Sequence, residues 1–280
     1  MPKSYRETAE FVIDKLKSLG LDPNPSSRFM KMYRVVAGSR PSIPATDPDF
    51  QIALEARRDM TVLALILEQE HAKEAVDGFL GKLSLACNDS VLPQDDREES
   101  PGRNAQFELF VAAICQAAGL FPVEYSEPDI RCTLEGMRVG IAAKRIKSDK
   151  QIEKRIRKAS EQIQKSGLPG FIALDTSIAM NPDNKRIGTV IPEEEFAQRY
   201  SDAMNASVAN YVHILKNFND RDLVIGCIVH DQQILLFPDL VWGLTGMTTV
   251  VPIAASAEAT ALFSKFWSRY SNGLPDVEHL

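Results

Sequence analysis

Two strand-like stretches, Asp129 to Leu134 and Met137 to Arg145, flank a Glu135-Gly136 turn, and a strongly charged helical stretch, Asp149 to Gln164, follows directly. Gly167 and Pro169 end that helix, and Phe171 to Asp175 reads as a short buried strand. Upstream, Ala105 to Ala118 is an apolar helix stopped by Gly119, and Phe121 to Tyr125 reads as a further short strand. The order helix, three strands, helix, strand places this region in the α/β class.

The first third of the chain has a helical period instead. Ser4 is a plausible cap with Glu7 three residues on, and Phe11, Val12, Leu16 and Leu19 recur at helical spacing before Gly20. A second helix fits Ser26 to Ala37, ended by Gly38, and Pro41 to Pro44 reads as a connector. Asp47-Pro48 opens a long helix from Phe50 to about Glu70, apolar nearly all round from Val62 to Leu67 and so expected to be central. A fourth fits Ala72 to Cys87. These features predict a helical bundle over residues 1–90, with no catalytic constellation in it, and suggest a protein-binding role for this domain.

Between Asn88 and Arg103 the apolar period is lost and Pro93, Asp95, Asp96, Glu98, Glu99 and Pro101 accumulate. Residues 91–103 are therefore expected to be a linker, and 104–280 an α/β domain. Later elements are a helix at Glu193 to Leu215, strands at Leu223 to Val229 and Gln233 to Phe237, and a closing helix at Ala257 to Tyr270.

A length of 280 residues suits two domains. No run approaches the roughly 20 apolar residues of a membrane span, and the start shows no apolar export signal, so a cytoplasmic protein is expected. The scattered Cys87, Cys115, Cys132 and Cys227 read as buried reduced thiols, and the four histidines show no metal-ligand spacing.

The net charge of -6 argues against a protein that coats nucleic acid. Between Lys144 and Lys165, however, nine basic residues face three acidic ones. That run is either a solvated helix face or a local basic patch.

Glu108 is the only charged residue between Ala105 and Ala118, so its carboxylate should face water or meet a cation. Period-two geometry puts Asp129, Arg131 and Thr133 on one face of their strand. On the next strand it groups Gly140, Ala142 and Lys144, which leaves an open pocket around the Lys144 amine. An edge lysine guarding against aggregation is the alternative.

Pro128-Asp129, Ala142-Ala143-Lys144, Glu108 and Gln162, in this order on these elements, resemble the PD-(D/E)XK nuclease superfamily. The resemblance covers roughly Asn104 to Ile178 and implies a restriction-endonuclease-like αβββαβ core beside a separate N-terminal helical domain. It implies a metal-dependent nuclease acting on DNA or RNA, in bacterial defence or on a mobile element. Asp129, the Ala143 carbonyl and Glu108 would hold Mg²⁺ or Mn²⁺, and Lys144 would orient the attacking water. Gln162 and Arg145 would hold the nucleic-acid backbone, with Lys147, Lys150 and Lys154 adding phosphate contacts. Ala142 departs from the pattern, because the family places a metal-binding acid there and alanine has no oxygen to offer. Either Glu161 supplies that acid, or the domain is a non-catalytic nucleic-acid-binding or scaffold subunit, or the alanine was introduced to inactivate it. An unrelated α/β interaction protein is a third class, and a homo-oligomer is compatible with each.

Overall fold

The computed structural model describes residues 4–38, 49–69, 78–96, 100–183, 187–188, 193–218, 222–236 and 242–275. The Pro41 to Pro44 connector, Asp47-Pro48 and the start of the expected fourth helix lie outside them. Contacts divide the chain into two compact units, one running up to Ala113 and the other from Ile114 to Val277.

The first unit is helical: α1 (Tyr5–Ser18), α2 (Arg28–Gly38), α3 (Phe50–Glu68), α4 (Phe79–Ala86) and most of α5 (Pro101–Ala117). Ser4 and Glu7 form a reciprocal capping box, the Ser4 hydroxyl accepting from Glu7 N at 3.2 Å and the Glu7 carboxylate from Ser4 N at 2.7 Å. Ala9, Val12, Ile13 and Leu16 form the buried stripe of α1, which packs with α2 against α3. α3 is buried along most of its length, as its apolar run predicts, but it also buries Glu55, Arg58 and Asp59.

The described residues of the expected linker, 91–96 and 100–103, include buried and paired charges. Arg103 is buried, and its guanidinium donates to the carbonyls of Ser90 at 2.9 Å and Val91 at 2.7 Å. It also pairs with Asp96 at 2.8 Å and Asp59 at 3.2 Å. Asp96 and Arg103, whose charges suggest exposure, neutralise one another, and the boundary between units falls inside α5.

The second unit is α/β around a mixed sheet. β1 (Ile130–Leu134) runs antiparallel to β2 (Met137–Arg145), which is parallel to β3 (Gly170–Asp175). β3 is parallel to β5 (Val224–Leu236), and β6 (Trp242–Pro252) closes on β5 antiparallel. β4 (Ile187–Gly188) adds two residues beside the far end of β5. Glu135 and Gly136 take φ of 49° and 83°, the left-handed pair that a two-residue hairpin turn needs. α6 (Asp149–Ser166) makes the crossover from β2 to β3, and α7 (Ser177–Met180) and α8 (Glu193–Asn217) follow β3.

α6 and α8 share one apolar cluster with the sheet, including Ile156, Ile163, Ile172, Leu174, Val208 and Leu215. On the other side α9 (Ala257–Tyr270) stacks Phe266 on Phe171, with ring centroids 4.0 Å apart.

Two strand assignments differ from expectation. The stretch 121–125 reduces to a single bridge, Glu124 to Arg131, because Pro122 and Pro128 have no N–H for a ladder. The two strands expected at 223–229 and 233–237 are one continuous β5, since the polar residues between them are hydrogen-bonded inside the unit rather than turned to water. Phe237 itself lies outside the described residues.

Candidate functional site

Gly140 determines how Pro128 and Asp129 meet β2. A Cβ on Gly140 would lie 2.9 Å from Pro128 Cγ and 3.0 Å from its Cδ, so the proline ring sits where any side chain would be. The β1–β2 register pairs Ile130 with Ile141, which puts Asp129 opposite Ala142. Gly140→Ala is expected to force the rigid ring away and to destabilise the second unit by about 1–3 kcal/mol, measured as a fall in the urea midpoint. An unchanged midpoint would show that Pro128 is free to shift.

Both oxygens of Asp129 are occupied. Oδ2 accepts from Ala143 N at 2.9 Å and from the Lys144 ammonium, and Oδ1 accepts from Gln162 Nε2 at 3.0 Å. Gln162 Nε2 also donates to Pro128 O at 2.6 Å, and Lys144 Nζ donates to Ala143 O at 3.1 Å. The Lys144 and Asp129 side chains are only 11% and 14% exposed. The structure thus brings Asp129, Lys144 and Gln162 together from the start of β1, from β2 and from α6. The open pocket expected around the Lys144 amine is instead closed by the carboxylate.

The other expected members have partners or surroundings of their own. Glu108, on the part of α5 within the first unit, meets a cation, forming an ion pair with Lys82. Glu161 is exposed on α6. Ala142 is fully buried and belongs to the apolar cluster under α6 and α8. Arg145, expected to hold nucleic acid, is instead buried, because the parallel register pairs it with Asp175, whose carboxylate it meets at 2.9 Å. Asp175 Oδ1 also accepts from Ser177 N at 3.0 Å and Ser177 Oγ at 2.6 Å. Burial alone would raise this carboxyl, but the Arg145 charge and the Ser177 hydrogen bonds outweigh it and hold the group below the usual carboxylate range.

Lys147 is half-buried, whereas Lys150 and Lys154 are exposed on α6 together with Arg157, Lys158 and Lys165. Exposed Glu153 and Glu161 interrupt this basic face without balancing it.

Sequence reasoning missed a second polar cluster on β5. Asp231 is fully buried and accepts from the Tyr200 hydroxyl, Thr176 Oγ1 at 3.1 Å and Gln233 Nε2 at 2.9 Å. The adjacent His230 has Nδ1 2.9 Å from Thr248 Oγ1 and Nε2 3.0 Å from the Tyr270 hydroxyl. The polar run His230 to Gln233 between two apolar strand stretches was the available signal. All four cysteines are buried and free, and burial pushes the Cys87 thiol up to about 11.

The donor set does not fit a divalent ion. Asp129 offers the only carboxylate of the cluster, and the Lys144 ammonium already neutralises it. Among the described residues no three acidic, histidine or cysteine side chains converge as a metal-binding group. Nor is any described helix long and apolar enough to cross a membrane. Comparison of the chain with protein-family models, curated proteins and solved structures finds no match.

Proposed function

We propose that the second unit has a restriction-endonuclease-like core and binds nucleic acid through α6 without itself running metal-dependent hydrolysis. The observation that carries this reading is the Lys144 ammonium seated on Asp129 beside Gln162. The three residue types of the nuclease pattern converge, which favours that core. A single neutralised carboxylate, opposite a buried alanine, disfavours catalysis. The exposed basic residues of α6 supply the charge that phosphate binding needs despite the acidic net balance.

Fluorescence anisotropy with double-stranded DNA, single-stranded DNA and RNA at low salt tests the binding. Replacing Lys150, Lys154 and Lys158 together by glutamine is expected to weaken it at least ~10-fold and to flatten the log–log salt dependence by about 2–3 units. Binding that ignores these changes would move the interface off α6, and no binding to any substrate would favour a protein-interaction role. A nuclease assay with Mg²⁺ and Mn²⁺ on supercoiled, linear and single-stranded substrates is expected to show no cutting. Cleavage lost in both Asp129→Ala and Lys144→Ala would return the chain to the enzyme class.

A further inference from the structure

Four oxygens from three residues lie in two pairs at the Asp129 cluster, Asp129 Oδ2 with Ala143 O and Asp129 Oδ1 with Pro128 O. Oxygens gathered in this way are what a hard divalent cation takes as ligands. Here each accepts from nitrogen instead. Lys144 Nζ bridges Asp129 Oδ2 and Ala143 O, and Gln162 Nε2 bridges Asp129 Oδ1 and Pro128 O.

We infer that Lys144 is a tethered cation whose ammonium fills the place of a divalent ion, so that the second unit keeps this site closed without metal. The idea of an ion's place rests on the restriction-endonuclease-like reading proposed above. The charge argument stands on the contacts themselves. Lys144 and Asp129 neutralise one another at a position that is mostly withdrawn from water. A divalent ion would have to expel the ammonium and leave it nearby as a like charge, which opposes binding. The lysine is covalently part of β2, so its local concentration exceeds that of any dissolved ion. Gln162 completes the closure with a neutral amide, adding hydrogen bonds without adding charge.

Removing the ammonium while keeping the apolar stem should turn the closed cluster into an open oxygen site. Thermal melts of the full chain, without nucleic acid, in EDTA and in about 10 mM Mn²⁺ test this by ligand linkage. The wild type is expected to melt at the same temperature in both. Lys144→Met is expected to melt lower in EDTA and to recover at least half of its loss in Mn²⁺. Asp129→Asn combined with Lys144→Met is expected not to respond to Mn²⁺. If Lys144→Met does not fold in EDTA, the yield of folded protein on refolding with Mn²⁺ takes the place of the melting temperature. A purely structural lysine would give the loss without the recovery, and that result overturns the inference. So does a wild-type stabilisation by Mn²⁺ that Asp129→Asn abolishes. Absence of nucleic-acid binding would leave these melts unmoved, so the two proposals fail separately.

Discussion

Asp59→Ala is expected to destabilise the first unit by about 3–5 kcal/mol, the cost of removing one partner from a buried ionic network. Asp59 is 4% exposed and sits among three buried arginines. Its Oδ2 lies 3.2 Å from Arg103 Nη1 and 3.6 Å from Arg28 Nη1, and its Oδ1 lies 3.9 Å from Arg58 Nε. Gln106 Nε2 donates to the same Oδ1 at 3.4 Å. The arginines have other acceptors: Arg28 donates to Ala86 O at 2.8 Å, Arg58 pairs with Glu55, and Arg103 pairs with Asp96. None of those acceptors replaces the shared carboxylate, so the substitution leaves excess positive charge where hydration is poor. For a unit of this size the loss corresponds to a melting temperature at least ~10 °C lower. Chemical denaturation of the full chain, following the first transition to move, checks it. A loss under about 1 kcal/mol would mean that water reaches the three guanidinium groups.

That network also shows where sequence reading stops. The apolar run Val62 to Leu67 marks α3 as central, and the structure agrees. Glu55, Arg58 and Asp59, one and two turns earlier, carry charges that in isolation signal solvent. Glu55 and Arg58 pair with each other along α3, but Asp59 meets Arg28 and Arg103, which stand far away in the chain and reach it only after folding. The described part of the stretch 91–103 departs from expectation for the same reason. Its acids and prolines resemble a linker, yet Asp96 serves as a counter-ion for Arg103.

Local signals fared better where a residue's conformation is settled by its neighbours in sequence. Glu135-Gly136 needs only its own backbone to turn, and Ser4 caps α1 by accepting from Glu7 N at 3.2 Å. Around the candidate site, the grouping of Asp129 with Lys144 was legible because strand alternation and the hairpin register are short-range rules, whereas Gln162, on α6, was named only through the resemblance. The closure of Lys144 onto Asp129 was not legible, since side-chain pairing leaves no mark on periodicity. Arg145 was misread through the same gap: its partner Asp175 is 30 residues on and becomes adjacent only through the parallel β2–β3 pairing. β6 lacks an alternating apolar face and is interrupted by Gly243 and Gly246, so its period hid a strand that the β-branched run Thr248 to Val251 favours.

The stability of the second unit is expected to fall as the pH drops from about 6.5 toward 4, with His230 as the cause. Burial holds its imidazole well below the ordinary value of 6.5, at about 4, although the Asp175 carboxylate pulls the other way. Between those two values the unfolded chain binds a proton that the folded unit refuses, so acidification favours unfolding. One proton corresponds to about 1.4 kcal/mol per pH unit and to about 3 kcal/mol over the whole window. Asp175 acts in a different range. Its folded-state carboxyl is held below 3.8, so its contribution is present above that value and is lost only in stronger acid. Urea midpoints at pH 7, 6 and 5 isolate the histidine, because above about pH 5 most carboxyls stay ionised in both states. His230→Gln keeps a polar side chain near Thr248 and Tyr270 but cannot gain charge, so it should flatten the profile in this range. A slope that survives the substitution would assign the acid sensitivity to another group. It would also mean that protonated His230 is tolerated beside Asp175, in contrast to the closed packing of α9 over β5.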